Sequence, residues 1–154
     1  MLITKQHKAM KSNGIILIVS TLLVLLFAYT AVSKLVDSET FRGQMLNQPL
    51  PETISGQLVW AVPLAELVTA GLLIIKPFRL IGLCCALLLM TGFTLYVALV
   101  LFHAFERVPC SCGGIMGSLS WEGHLVVNTL FWLMALAGVV LETRNKLGAI
   151  NPVS

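Results

Sequence analysis

The chain has 154 residues, of which 57% are hydrophobic and only 11% are charged, and its formal net charge is +3. A soluble domain usually carries about 25% charged residues, so this composition excludes an ordinary soluble protein and favours a membrane protein. The basic residues lie between apolar segments and form no patch, which argues against a nucleic-acid partner.

Four apolar segments, each long enough to cross a bilayer, follow one another along the chain. A membrane-spanning helix needs about 20 apolar residues. We therefore expect helices at about 14–34, 54–75, 78–102 and 121–142. None of these segments alternates polar and apolar residues as a membrane-spanning strand would. The sequence predicts an all-α, polytopic membrane protein, with residues 1–154 forming a single membrane domain and a bundle of four transmembrane helices.

The first apolar segment, "GIILIVSTLLVLLFAYTAVS" at 14–33, has basic residues before it and small residues near its end, as a cleaved signal peptide does. Its uncharged length exceeds the apolar core of such a peptide, which is about 7–15 residues long. We therefore expect this segment to be retained as the first membrane helix.

The stretch between the first two helices, 35–53, is polar and too long for a tight turn. We expect part of it to lie on the membrane surface, with Phe41, Met45 and Leu46 facing inward.

Glu66 is the only charged residue within the second apolar segment. A charge at lipid depth is costly, so Glu66 should face the bundle interior and have a partner. The candidate partners are Lys34 at the end of the first helix, and His124 and Asn128, which are one turn apart on the fourth. Two roles stay open: a polar clamp between helices, or a pocket that handles protons or faces a quinone.

Lysine and arginine residues indicate the orientation of the helices. Seven of the ten lie on the side of the N-terminus and three on the other side, which predicts that both termini are cytoplasmic. The extracytoplasmic loops would then be 35–53 and 103–120, in a compartment where disulfides form. The seven are Lys5, Lys8, Lys11, Lys76, Arg79, Arg144 and Lys146, and the three are Lys34, Arg42 and Arg107.

The second of these loops contains "VPCSCGG", with Cys110 and Cys112 one residue apart. A disulfide between them would close a very small ring, and the resulting strain makes such a bond easier to reduce. It would add little stability, because loop-closure stabilisation grows with loop length. The pattern therefore favours thiol–disulfide exchange. Arg107, close in sequence, would favour the thiolate form of either cysteine if the loop folds back.

Three other interpretations of the cysteine pair stay open. It is compatible with a stapling disulfide in a non-catalytic membrane subunit. It is also compatible with a zinc or copper site completed by His103 or His124, because thiolate and imidazole suit those metals. The third alternative is two unreactive thiols.

Cys84 and Cys85 lie near the start of the third apolar segment. About 25 Å of helix rise separates Cys85 from Phe102, so we do not expect direct exchange with the loop cysteines without a carrier. We expect these two residues to be small, buried packing residues.

Several pieces of the chain resemble the MauE-type branch of the DoxX-like membrane proteins. They are "YTAVSKLVD" ending the first helix, "AVPLAEL" in the second, and "PCSCGG" followed by a fourth helix with Asn128. The resemblance covers nearly the whole chain in order. It implies a four-helix bundle in the bacterial inner (cytoplasmic) membrane. It also implies thiol redox handling or disulfide formation during extracytoplasmic maturation of methylamine dehydrogenase, beside a thioredoxin-fold partner.

The resemblance and the residue patterns together define a predicted site. We expect either a thiol–disulfide oxidoreductase or the membrane redox partner of one, with the lipid bilayer as its environment, a quinone as candidate cofactor and no metal. The predicted catalytic residues are Cys110 and Cys112. The predicted supporting polar residues are Lys34, Glu66, Arg107, His124 and Asn128.

Overall fold

The structure, a computed structural model, describes residues 2–48, 51–102 and 120–150. Throughout these ranges the regular structure is helical and contains no strand, which confirms the all-α prediction. The elements are α1 (Leu2–Val36), α2 (Ser38–Leu46), α3 (Glu52–Ile74), a 3-10 turn (Lys76–Phe78), α4 (Arg79–Leu101) and α5 (Trp121–Ile150).

Four helical segments in this part of the chain are long and apolar enough to cross a membrane, which confirms a polytopic membrane protein. They are Ser12–Val36, Glu52–Ile74, Lys76–Leu101 and Trp121–Gly148. The first and last helices extend beyond these segments, since α1 begins at Leu2 and α5 ends at Ile150.

The four long helices form a bundle with a definite neighbour order. α1 packs against α3 and α5, and α4 packs against the same two helices. α1 and α4 are therefore diagonal to each other, as are α3 and α5. The core between them contains Leu23 and Phe27 of α1, Leu73 of α3, and Leu83 and Met90 of α4.

Helices α3 and α4 approach each other closely at Gly82. A Cβ atom at this position would lie 2.8 Å from the backbone nitrogen of Leu73 and 2.9 Å from the backbone carbonyl carbon of Leu72. Real Cβ atoms do not approach backbone this closely, so glycine is required for the observed packing.

The short helix α2 packs mainly against α3. Phe41 is buried and Met45 is half-buried, as expected for residues four apart on one helix face. Leu46 is less covered by the bundle, with 42% of its surface exposed, so its inward orientation stays a prediction. Leu46 follows Met45 directly, and one residue rotates the side chain about 100° around a helix of 3.6 residues per turn.

Candidate functional site

The candidate site lies at the end of the bundle where residues 103–119 connect α4 to α5, which we call the loop end. Its centre is an ion pair between helices α1 and α3. The Lys34 Nζ atom lies 2.5 Å from Glu66 Oε1 and donates a hydrogen bond to it. The side chains are 11% and 1% exposed, respectively. Of the three partners that the sequence offered for Glu66, the structure places Lys34 against it.

Glu66 faces inward because of its position on α3. The buried residues of this helix recur every three or four positions, which places them along one face. They are Ser55, Val59, Pro63, Glu66, Thr69, Ala70 and Leu73. Glu66 therefore lies in the middle of the face that packs into the bundle.

Two aromatic rings flank the Lys34 ammonium group. Its nitrogen is 5.9 Å from the ring centroid of Phe41 on α2 and 5.7 Å from that of Phe93 on α4. The negative face of an aromatic ring attracts a cation at this distance. Lys34 on α1 thus interacts with three other helices: with the aromatic rings on α2 and α4 and with the carboxylate on α3.

The second carboxylate oxygen of Glu66, Oε2, is buried and accepts no hydrogen bond from the described residues. The Thr30 hydroxyl group, which lines the same cavity, donates to the backbone oxygens of Leu26 and Phe27 on its own helix instead. An unsatisfied acceptor in a medium of low dielectric constant is costly, and more so when it is charged. The Ser20 and Ser55 hydroxyl groups are also buried without a partner. Neither of them lines the cavity described next, whereas Glu66 does.

A cavity of about 360 Å³ surrounds the ion pair, and all five helices contribute to its walls. We call it the loop-end cavity. Most of its wall area is apolar, and its aromatic members come from α1, α2, α4 and α5. The polar side chains in its lining are Tyr29, Thr30, Ser33, Lys34, Gln48, Glu66, Tyr96, Trp121, His124 and Asn128.

Four of the predicted polar residues, Lys34, Glu66, His124 and Asn128, thus line one cavity. Among the described residues no hydrogen bond or ion pair joins His124 to Glu66; the His124 Nδ1 atom is 3.1 Å from the backbone oxygen of Ser120. The Asn128 amide makes no hydrogen bond within the described part of the chain. Their functional roles stay predictions. Arg107, Cys110 and Cys112 lie outside the described residues, as does His103.

Two further residues of the cavity were not predicted from the sequence. The Tyr96 hydroxyl on α4 donates a hydrogen bond to Gln48 Oε1, just beyond the end of α2. Gln48 is buried, and its amide nitrogen donates to the Gln44 backbone oxygen. A hydroxyl group in a membrane span needs a hydrogen-bond partner, so the sequence was sufficient to predict that Tyr96 has one. Nothing in the sequence indicates that Gln48 is that partner.

Cys84 and Cys85 are not bridged to each other. Both lie near the start of α4, away from the loop end. The expectation of a buried packing role is wrong for Cys84, which is exposed, while Cys85 is partly buried. The outward position of Cys84 places it among the side chains that a membrane would surround.

Comparison with known proteins identifies the family. The model of one protein family, described as methylamine utilisation protein MauE, matches residues 12–141. This range includes the first three apolar segments, most of the fourth, the Lys34–Glu66 pair and both loop cysteines. Neither the curated proteins nor the solved structures gave a match. The chain, a multi-pass membrane protein associated with methylamine utilisation, therefore belongs to the MauE family.

Proposed function

We propose that this protein exchanges disulfides with an extracytoplasmic thioredoxin-fold partner through Cys110 and Cys112. The observation that carries the proposal is the Cys-x-Cys spacing in the connection between α4 and α5. The only other cysteines, Cys84 and Cys85, lie near the opposite end of α4. We therefore assign the exchange to the loop pair.

The proposed exchange has two steps. The thiolate of one loop cysteine attacks a disulfide of the partner, which forms a mixed disulfide and releases a partner thiolate. The second loop cysteine then attacks the mixed disulfide, so that the Cys110–Cys112 bond forms and the second partner thiolate leaves. Two electrons pass to the partner, and starting from the oxidised pair the same steps run in reverse.

The proposed location is the inner membrane of a bacterium, with both termini in the cytoplasm and the cysteine loop outside. The seven-to-three distribution of lysine and arginine supports this orientation. An extracytoplasmic loop would meet an environment in which disulfides persist.

Labelling of intact cells tests the orientation. In a protein carrying Cys84→Ala and Cys85→Ala, a membrane-impermeant maleimide should label the loop cysteines after mild reduction. In a matched variant that also carries Cys110→Ser, Cys112→Ser and Lys8→Cys, labelling should require permeabilised cells, because Lys8 belongs to the cytoplasmic set. The reverse pattern would place the loop in the cytoplasm and remove the compartment that the proposal needs.

Single cysteine variants test the exchange itself. Cys110→Ser and Cys112→Ser should behave differently, because only the variant that lacks the resolving cysteine retains a thiolate that cannot release its partner. That variant should accumulate a mixed disulfide, visible by non-reducing electrophoresis of acid-quenched cells and identified by mass spectrometry. The variant that lacks the attacking cysteine should form no adduct.

Cys84→Ala and Cys85→Ala, each made in the protein with an intact loop pair, are the matched controls and should trap nothing. If both loop variants remained free of adduct while secreted disulfide proteins matured normally, the exchange proposal would be wrong. A stapling disulfide in a non-catalytic subunit predicts that result, with equal and small losses of stability in both variants.

A further inference from the structure

We infer that the loop-end cavity binds a lipid-soluble aromatic ring that carries hydroxyl groups, a compound of the hydroquinone class. Two independent observations lead to this ligand. One is the buried Glu66 oxygen that has no donor in the described structure, and the other is an apolar cavity that opens between the membrane spans.

Glu66 determines which functional group the ligand must present at its polar end. Lys34 satisfies its Oε1 atom, whereas Oε2 is buried without a hydrogen-bond donor. A ligand that completes this site must therefore present a donor to an acceptor, and a ring hydroxyl group does so. The carboxylate and the ammonium group already neutralise each other, so the site favours a neutral ligand over a charged one.

Asn128 offers a second polar contact from another wall of the cavity. It lies on α5, which is diagonal to α3, and its amide makes no hydrogen bond to any described residue. An amide both donates and accepts hydrogen bonds, so it can bind a second oxygen on the far side of a ring. A ring with oxygens at opposite positions matches two polar groups that approach from opposite sides of the bundle.

The remaining walls suit a flat apolar ring with an apolar tail. Phe27, Phe41 and Phe93 supply aromatic surface. At the edge of the cavity, Leu88 is 73% exposed, and a Cβ atom on Gly92 would meet nothing within 4 Å. Leu88 and Gly92 are one turn apart within the span formed by α4, so this edge opens toward lipid and leaves a path for a tail.

Other occupants satisfy only part of the cavity. A lipid acyl chain would cover the apolar walls but leave the Glu66 oxygen without a donor. Water would supply a hydrogen-bond donor to Glu66 but would leave the aromatic walls of the cavity in contact with water, which is unfavourable for apolar surface. A hydroxylated ring meets both requirements. Its use as an acceptor or source of electrons for the loop cysteines would rest on the proposed function, whereas its binding does not.

The test uses the full-length protein with Cys110→Ser and Cys112→Ser, so that no thiol exchange contributes. Of the three tryptophans in the chain, Trp60 and Trp132 are changed to phenylalanine, which leaves Trp121 in the cavity wall as the fluorescent reporter. The purified protein is titrated with a decyl-substituted benzohydroquinone and, separately, with its dimethyl ether. We expect saturable quenching by the hydroquinone and an affinity for the ether that is at least about tenfold lower, the effect of losing a hydrogen bond to a charged group.

Two glycine variants provide the matched protein control. Gly92→Leu fills the lipid-side edge and should abolish saturable binding, whereas Gly71→Leu should retain it. A Cβ atom at either position has open space, but only Gly92 lines the cavity. In a third variant, Glu66→Gln, most of the difference between the hydroquinone and its ether should disappear.

Equal affinities for the hydroquinone and its ether in the otherwise unmodified cavity would overturn the inference and indicate an acyl-chain site. Quenching that never saturates, or that Gly92→Leu leaves unchanged, would overturn it as well. These outcomes do not depend on the proposed function, because the protein used in the titration has no loop cysteines. Conversely, the mixed-disulfide experiment leaves the cavity intact, so a failure of exchange does not affect the binding inference.

Discussion

Changing Lys34 to methionine should lower the free energy of unfolding by about 3–5 kcal/mol, because it leaves the buried Glu66 carboxylate without its cation. The reciprocal change, Glu66→Leu, should cost a similar amount by leaving an ammonium group at lipid depth. The double variant Lys34→Met/Glu66→Leu should be much more stable than the sum of the two losses predicts. Replacing both members of a buried ion pair with apolar residues is often close to neutral.

The measurement is equilibrium unfolding in mixed micelles, analysed as a double-mutant cycle. Glu66→Gln is the conservative comparison and should cost less than Glu66→Leu, since its amide oxygen still accepts a hydrogen bond from Lys34. Additive losses in the double variant would show that the two side chains do not stabilise each other. The 2.5 Å contact would then contribute nothing to stability.

Exchange activity separates the two roles that the sequence left open for Glu66. A polar clamp predicts that Glu66→Gln retains exchange in proportion to the amount of folded protein. If Glu66→Gln folds normally but loses exchange, the carboxylate has a charge or proton role and the clamp alone is insufficient.

The change Gly82→Ala should destabilise the protein by about 3 kcal/mol or more, at the upper end of the range for overpacking. The added methyl group would meet the backbone atoms of Leu72 and Leu73 within 2.9 Å. Backbone atoms cannot move aside as a side chain can, so α3 and α4 would have to separate. Thermal unfolding of the purified protein measures the loss.

Alanine variants at two other glycines provide comparisons for the stability loss expected at Gly82. At Gly138 an added methyl group would meet the end of the Leu83 side chain at 2.8 Å, which can rotate away, so Gly138→Ala should cost less than Gly82→Ala. At Gly71 it would meet nothing within 4 Å, and Gly71→Ala should be neutral or stabilising by up to about 1 kcal/mol through helix propensity. Similar losses at Gly82 and Gly71 would show that the α3–α4 approach is looser than described.

The ion pair and the cavity connect the proposed chemistry to the fold. Lys34 lies near the end of α1, and Trp121 begins α5 just after the connection that contains the cysteines. Both line the loop-end cavity, so one end of the bundle combines its polar centre with the segment proposed to exchange disulfides. Variants of Lys34 or Glu66 therefore need both an unfolding and an exchange measurement before a functional role is assigned.

The membrane spans were predictable from sequence because crossing a bilayer depends on the length and apolarity of a single segment. Each of the four apolar runs could be recognised without knowing its neighbours, and the structure contains a membrane-length helix at each. The need of Glu66 for a partner was predictable for a similar reason. The cost of a charge in lipid depends on its depth in its own helix.

The choice of partner depended on the tertiary structure. Lys34, His124 and Asn128 all occur at the loop end. Of the two helices that carry them, α1 packs beside α3 and brings Lys34 to Glu66, whereas α5 lies diagonally opposite. The Tyr96–Gln48 hydrogen bond also depends on the tertiary structure, because it joins residues that are 48 positions apart in the sequence. Sequence determined which groups needed a partner, because that need is a property of one helix in lipid. Only the packing order of the helices decided which groups met, because the contacts between them are short-ranged and depend on which faces adjoin.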